Sequence, residues 1–303
     1  MTRHVAVLMG GGSAEREVSL VSGEACARAL MERGYEATPI DVGADLHEIL
    51  GRLRPDVVFN ALHGRFGEDG RVQGLLDHLA IPYTHSGVLA SALAMDKPMA
   101  KRVFTSAGLR CPEGIETTLA RVLADPPLAP PFVVKPAAEG SSVGVTIVLD
   151  DDLRALTDRN DVDPDCRLLV ERYVPGRELT CAVLGDEPLA VTEIRPNDGF
   201  YDYRAKYTEG FASHLVPAPL SPDLYDEVMA AALVAHRVLG CRGVSRADFR
   251  LDPAHGSAGL HLLEVNTQPG MTPLSLVPEQ AAYRGIAFPD LVVRLVEWAR
   301  CDR

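Results

Sequence analysis

The sequence predicts a mixed fold, α/β at its amino end and α+β beyond it, and three observations carry that prediction. The apolar run His4 to Met9 passes straight into Gly10, Gly11, Gly12 and Ser13, after which EREVSLVSGEACARALMERG shows helical periodicity. Two further apolar runs, Tyr35 to Ile40 and Pro55 to Asn60, are separated by the helix-like LHEILGRLR. This alternation predicts a small parallel sheet whose binding edge lies at the strand C-terminal ends. From Pro131 the texture changes to short β-branched runs joined by glycine and serine, FVVKP and VTIVLD first and LLVERYVPGRELTCAVLG later, which predicts β-rich structure.

The chain of 303 residues is 47% hydrophobic and 24% charged, an ordinary globular composition with room for two or three domains. Its formal charge of −12 argues against nucleic acid and against anionic membrane as partners, since both need a basic field. Any phosphate ligand must then be met by local lysines. The six cysteines, Cys26, Cys111, Cys166, Cys181, Cys241 and Cys301, show neither a C-x-x-C pair nor zinc spacing, so a reducing cytoplasm fits best. No stretch approaches the ~18 apolar residues of a membrane span, and HVAVLMG is too short for a signal segment.

In the glycine loop, Glu15 stands where a dinucleotide fingerprint would have its third glycine, which breaks that pattern. A carboxylate there suits the helix dipole and repels a pyrophosphate, so Glu15 either caps the helix or attracts a substrate ammonium group. The loop LHGRFGEDG offers His63 as a substrate contact or as a local hydrogen-bonding residue, and opens a helix over Arg71 to Leu79. IPYTHSG has the turn composition of a domain boundary, followed by a helix from about Ala94 to Ala107. Lys135 begins the loop KPAAEGSSVG, whose backbone N–H groups and hydroxyls can fold over a polyphosphate or can simply close a hairpin. A polar helix is expected over Asp151 to Arg159. Glu171 and Glu178 flank an apolar turn that suits either an adenosine slot or a solvated strand pair. The long stretch RPNDGFYDYRAKYTEGFASHLVPAP is too aromatic for plain disorder and reads as a lid. Pro222 to Leu239 reads as a structural helix, and TPLSLVPEQAAYRGIAFPDLVVRLVEWA as an apolar closing helix.

The stretch with the densest chemistry is HLLEVNTQPGMT. Strand alternation points Glu264 and Asn266 the same way, and the upstream run GVSRADFRLD can lie antiparallel beside it, placing Asp248 and Arg246 on the same face. Asp, Glu and Asn oxygens together offer the hard ligand set that magnesium takes alongside phosphate oxygens; the bland alternative is a solvated acidic hairpin. Arg246 is either an ion-pair partner there or a stabiliser of developing negative charge.

Taken together, GGGSAEREVSL, LHGRFGEDG, the MDK at Met95 to Lys97, KPAAEGSSVGV, VERYVPGREL, YDYRAKY, RADFR and EVNTQPGMTPLSLVP resemble the D-alanine–D-alanine ligases of the ATP-grasp superfamily, in order and spacing over nearly the whole chain. The resemblance implies an ATP-grasp architecture: an N-terminal parallel α/β domain (1–94), then a central (95–177) and a C-terminal (178–303) β-rich domain with ATP between them. It implies joining of two D-alanine molecules through an acyl phosphate for peptidoglycan precursor synthesis, by a cytoplasmic homodimer. Two magnesium or manganese ions on Asp248, Glu264 and Asn266, and a monovalent cation, belong to the same expectation. So do Lys97, Lys135 and Lys206 on the phosphates; Ser141, Glu171, Arg172, Glu178 and the backbone of Tyr173 and Val174 in the nucleotide site; and Arg246 with the Gly270 N–H as oxyanion hole. Glu15 and His63 map near the first D-alanine, Ser275 and Leu276 onto the pocket for the second, and Ser141 and Tyr207 onto positions that bond Glu15 and tie down the lid. Tyr207 further implies amide rather than ester formation.

Overall fold

The computed structural model describes residues 3–140, 144–150, 152–157, 165–196 and 212–302. Strands β1 (His4–Met9), β2 (Glu36–Asp41) and β3 (Val57–Asn60) form a parallel sheet in the order β2-β1-β3, flanked by α1 (Arg16–Glu32), α2 (Leu46–Leu53) and α3 (Arg71–His78). The near-continuous apolar character of β1 and β3 follows from burial on both faces, Val5 and Val7 meeting one core and Ala6 and Leu8 another, whereas β2 at the edge is largely exposed. Helices α4 (Val88–Met95) and α5 (Lys97–Ser106) come next. A four-stranded antiparallel sheet follows, in the order β4 (Gly114–Thr118), β7 (Arg167–Arg172), β5 (Phe132–Pro136), β6 (Thr146–Val148), with α6 (Leu119–Ala124) and α7 (Arg154–Thr157) beside it. The last sheet is also antiparallel: β10 (Ala212–Leu215), β9 (Glu187–Pro196), β8 (Arg177–Leu184), β11 (Val244–Leu251), β12 (Leu260–Asn266). Helix α8 (Pro222–Val238) lies on it, and α9 (Leu276–Tyr283) and α10 (Phe288–Glu297) close the chain.

Several elements differ from expectation for identifiable reasons. The helix expected over 94–107 is two helices, because the Asp96 side chain leaves the first to cap the second, accepting the Met99 N–H at 3.1 Å, with Pro98 in the first turn. The closing run is also two helices, broken at Arg284 and Gly285, whose φ is +76°. IPYTHSG is no exposed linker: Tyr83, Thr84, His85 and Ser86 are all buried, and Tyr83 bridges to Val58 and to Arg300. The stretch expected as a lid ends in a strand, β10, paired with β9, while residues 197–211 lie outside the described residues. Of the helix expected over 151–159, α7 is the part described.

Packing joins the ends of the chain. Leu291, Val292, Leu295 and Val296 of α10 share one core with Val5, Val7 and Phe59 of the parallel sheet and with Ala182 and Leu184 of β8. Ala100 and Phe104 of α5 enter the core of the five-stranded sheet beside Leu179, Phe249 and Leu262. The four-stranded sheet keeps its own smaller core around Phe132, Val134, Leu156 and Val170.

Candidate active site

Strands β11 and β12 pair with Arg246 opposite Asn266 and Asp248 opposite Glu264, and a register shift follows at Asp248/Phe249. Ala247, Phe249, Leu262 and Val265 turn into the core, which leaves Arg246, Asp248, Glu264 and Asn266 on the opposite, half-buried face. The expected gathering therefore exists as a face. Asp248 is gripped bidentately by Arg246, at 2.9 and 2.7 Å, and accepts the Thr180 hydroxyl at 2.6 Å. Glu264 lies 3.4 Å from the Lys97 ammonium, and Asn266 Oδ1 accepts the Gln268 N–H at 2.8 Å. Among the described residues no group of three His, Cys, Asp or Glu side chains that could hold a metal ion is found; this face brings together two carboxylates and an amide oxygen. That all-oxygen set, facing a cleft and already opposed by cationic side chains, fits a hard divalent ion.

Two pockets meet on this face. One is lined by Glu68, Arg246, Asp248, Asn266, Gly270 and Ser275. The other is lined by Val133, Lys135, Ile147, Glu171, Tyr173 and Val174. Lys97, Glu139, Gly140, Glu178, Asp248 and Glu264 line both, so the pockets open onto one wall.

In the second pocket β7 and β5 place Glu171 opposite Val133, and its buried carboxylate is held by two lysines, Lys135 on Oε1 and Lys101 on Oε2, each at 2.5 Å. Burial works to raise the Glu171 pKa, but Lys135 and then Lys101 outweigh it and hold the carboxyl below its usual range. Burial also works against the charge of Lys135, yet Glu171 and Glu264 raise it above the ordinary lysine value. For Lys101 burial wins, with Lys135 opposing its charge, and its pKa is lowered. Glu171 is thus anchored rather than solvated, and Lys101 was not foreseen from sequence. Glu178 lies 3.6 Å from Arg250, which also donates to the carbonyls of Val174 and Gly176 at 3.2 and 3.0 Å and sits over the Tyr173 ring. Arg250 therefore fixes the turn whose backbone faces this pocket. Arg172 stands at the rim of this pocket, largely exposed, with Glu113 at 3.5 Å.

Lys97, in the first turn of α5, donates to the Glu139 carbonyl at 2.5 Å and so reaches the loop that follows Lys135. Glu15 is the N-cap residue of α1, its carbonyl accepting the Ser19 N–H at 3.1 Å, and its side chain makes no cap hydrogen bond. It is buried, close against Gly64 and Gly140: a Cβ on either glycine would stand 2.8 or 2.9 Å from its Oε2. His63 is also buried, with Nδ1 3.1 Å from Glu68, itself a wall of the first pocket, and Nε2 3.5 Å from Ser22. Ser275 immediately precedes α9, and its Oγ accepts the Thr272 N–H at 2.9 Å and bonds the Thr272 hydroxyl at 2.8 Å. A Cβ on Gly270 would lie 2.8 Å from Ser275 Oγ, so a side chain there would displace that hydroxyl. Ser141, Lys206 and Tyr207 lie outside the described residues.

A buried amide network was also missed from sequence. Asn60, ending β3, donates to Gln268 at 3.2 Å and to the Gly67 carbonyl at 2.9 Å, while Gln268 Nε2 returns a bond to the Asn60 carbonyl and approaches His85 at 3.3 Å. The only sequence signal was the position of Asn60 at a strand C-terminal end.

Two antiparallel sheets flanking a cleft with lysines and hard oxygen ligands on its walls, behind a parallel α/β unit, define an ATP-grasp enzyme. Two family models match the chain, the D-ala D-ala ligase N-terminus over residues 43–86 and the D-ala D-ala ligase C-terminus over residues 117–297. A D-alanine–D-alanine ligase of Cereibacter sphaeroides is 59% identical over 299 residues, covering 99% of this chain and 96% of the relative. One from Rhodospirillum rubrum is 54% identical over the full length of both. The crystal structure of D-alanine–D-alanine ligase from Bacillus anthracis complexed with ATP superposes with a TM-score of 0.82 at 34% identity, covering 98% of this chain and 97% of that one. The chain belongs to the D-alanine–D-alanine ligase family.

Proposed function

We propose that the chain joins two D-alanine molecules into D-alanyl-D-alanine, with conversion of ATP to ADP and phosphate, to supply peptidoglycan precursor synthesis. The observation that supports this reading is the wall of Lys97, Glu178, Asp248 and Glu264 shared by the two pockets, one read as the nucleotide slot and the other as the substrate slot. The base lies against Val133, Ile147 and the backbone of Tyr173 and Val174, with Glu171 and Arg172 beside it and Glu178 at the ribose. Lys97, Lys135 and Lys206 with the Ser141 loop take the phosphates.

A carboxylate resists attack by an amine until one oxygen becomes a good leaving group. The γ-phosphoryl group therefore passes to a carboxylate oxygen of the first D-alanine, breaking its bond to the β-phosphate oxygen and giving an acyl phosphate and ADP. The amine of the second D-alanine then attacks the carbonyl carbon, phosphate leaves with the former carboxylate oxygen, and the nitrogen loses its proton. Glu15 and His63 hold the first D-alanine, and Ser275 and Leu276 the second. Arg246 and the Gly270 N–H face the oxygen that gains charge in the tetrahedral intermediate. Its two bonds to Asp248 orient the Arg246 guanidinium for this role. Asp248, Glu264 and Asn266 would hold two magnesium or manganese ions, which supply charge neutralisation at the phosphoryl group. Tyr207 on the lid favours amide over ester formation.

The same reading includes three domains over 1–94, 95–177 and 178–303, a homodimer, activation by a monovalent cation, and a cytoplasmic setting without nucleic acid or membrane partners. No helix among the described residues is long and apolar enough to cross a membrane. The test is phosphate release over a panel of D- and L-amino acids and D-lactate, with products identified by mass. Release that requires D-alanine and magnesium together, stops on chelation and yields the dipeptide is the expected result. Release without any amino acid, or tight ATP binding with no turnover on any D-amino acid, overturns it.

A further inference from the structure

The charges that line the nucleotide slot cancel one another. Among the described residues every cation lining it lies within 4 Å of a carboxylate: Lys97 at Glu264, Lys135 at Glu171, Arg172 at Glu113 and Arg250 at Glu178. Glu139 adds an exposed carboxylate at the mouth. By themselves these described side chains offer a polyphosphate no net attraction. Lys101 breaks the balance. It stands one helical turn after Lys97 on α5, lines a separate hollow with Cys111, Pro112 and Glu116 behind the slot, and reaches the Glu171 carboxylate from that side. Glu171 is therefore shared by two lysines, and the buried group of three carries a net positive charge. In a poorly solvated site a surplus unit charge is felt across several ångströms.

We propose that Lys101, which does not line the nucleotide slot, is a positioning residue for polyphosphate. It neutralises Glu171 from behind, so that the Lys135 ammonium faces the slot as an effective cation instead of being spent on an isolated ion pair. This rests on the nucleotide reading above and adds to it a specific origin for the phosphate selectivity of the slot. A purely architectural Lys101, holding α5 against β7, would affect all ligands of the slot alike.

The test is calorimetric titration of the full chain with ATP and, separately, with adenosine, the readout being the ratio of the two affinities. Lys101→Met lowers that ratio by about tenfold or more, the size expected for losing one nearby charge. Lys101→Arg keeps it. Glu171→Gln, which removes the shared anion, raises the ratio, and the double variant Lys101→Met/Glu171→Gln returns it to within about threefold of the wild type. Equal losses for ATP and adenosine in Lys101→Met, or a double variant no better than the single one, overturn the proposal. Should Lys101→Met not fold, Glu171→Gln alone decides, since a lowered ratio there contradicts the charge argument. A wild-type chain that binds ATP no more tightly than adenosine overturns the nucleotide reading itself.

Discussion

Glu264 is the residue on which the proposed chemistry turns most directly, since it faces both pockets and Lys97 and stands opposite Asp248. Glu264→Gln keeps its volume and hydrogen-bonding capacity and removes the charge. Turnover in the phosphate-release assay is expected to fall at least about 100-fold, while the melting temperature stays within about 2 °C, because the side chain is half-exposed and outside the core. Normal turnover would remove Glu264 from the proposed metal site. This residue was legible because two-residue spacing fixes a strand face without knowledge of the rest of the fold. Lys101 was not, because an i, i+4 lysine pair on a helix reads as surface until Glu171, 70 positions later, is placed beside it. Gln268 and Asn60 escaped for the same reason, being 208 residues apart.

Elements were legible where alternation or helical period had a clear end, as in β1, expected and found over His4–Met9. They were illegible where a break depends on a single side chain, as at Asp96, or where an extended segment is buried without an apolar pattern, as at Tyr83 to Ser86. The turn between β7 and β8 shows how much one position can decide. Gly176 has a φ of +98°, and a Cβ there would stand 2.3 Å from the Leu251 carbonyl oxygen and 2.7 Å from Pro253 Cδ. Gly34 has a similar φ of +82° but open space around it. Gly34→Ala is therefore expected to cost only the left-handed strain of about 1–2 kcal/mol. Gly176→Ala should cost about 3 kcal/mol or more, since backbone atoms must also move. Urea midpoints measure the difference, and equal costs would refute the steric argument. ATP affinity should fall in Gly176→Ala alone, because Arg250 holds the carbonyls of both Val174 and Gly176.

At the scale of the molecule, the parallel sheet and the five-stranded sheet share a core through α10, so the two ends of the chain are stabilised together. Leu295→Ala in that shared core should cost about 2–5 kcal/mol, and the loss should appear as one earlier transition rather than a separate melting of the amino end. Differential scanning calorimetry distinguishes the two.

The seam between these units also sets the response to acid. His85 is buried at it, bonded to Thr84 at 2.8 Å, edge-on to Phe59 and close to Gln268. Burial first, then the charges of His63 and Arg242, push its pKa down to about 3. His236, buried under α8 against Ser245, is pushed down to about 4, again chiefly by burial. An unfolded histidine titrates near ~6.5, so below that pH the unfolded chain binds protons that the folded chain refuses. Stability is therefore full above about pH 6.5 and falls as pH drops toward the folded values, each histidine adding a slope of up to about 1.4 kcal/mol per pH unit. Glu171 and Glu193, whose pKa values are lowered, add their own loss only below the ordinary glutamate range near 4.5. Between about pH 6.5 and 4.5 the histidines should dominate. Melting temperatures measured at intervals across that window should fall steadily in the wild-type chain, and His85→Gln with His236→Gln should flatten the dependence. A double variant with the wild-type slope would place the acid sensitivity elsewhere.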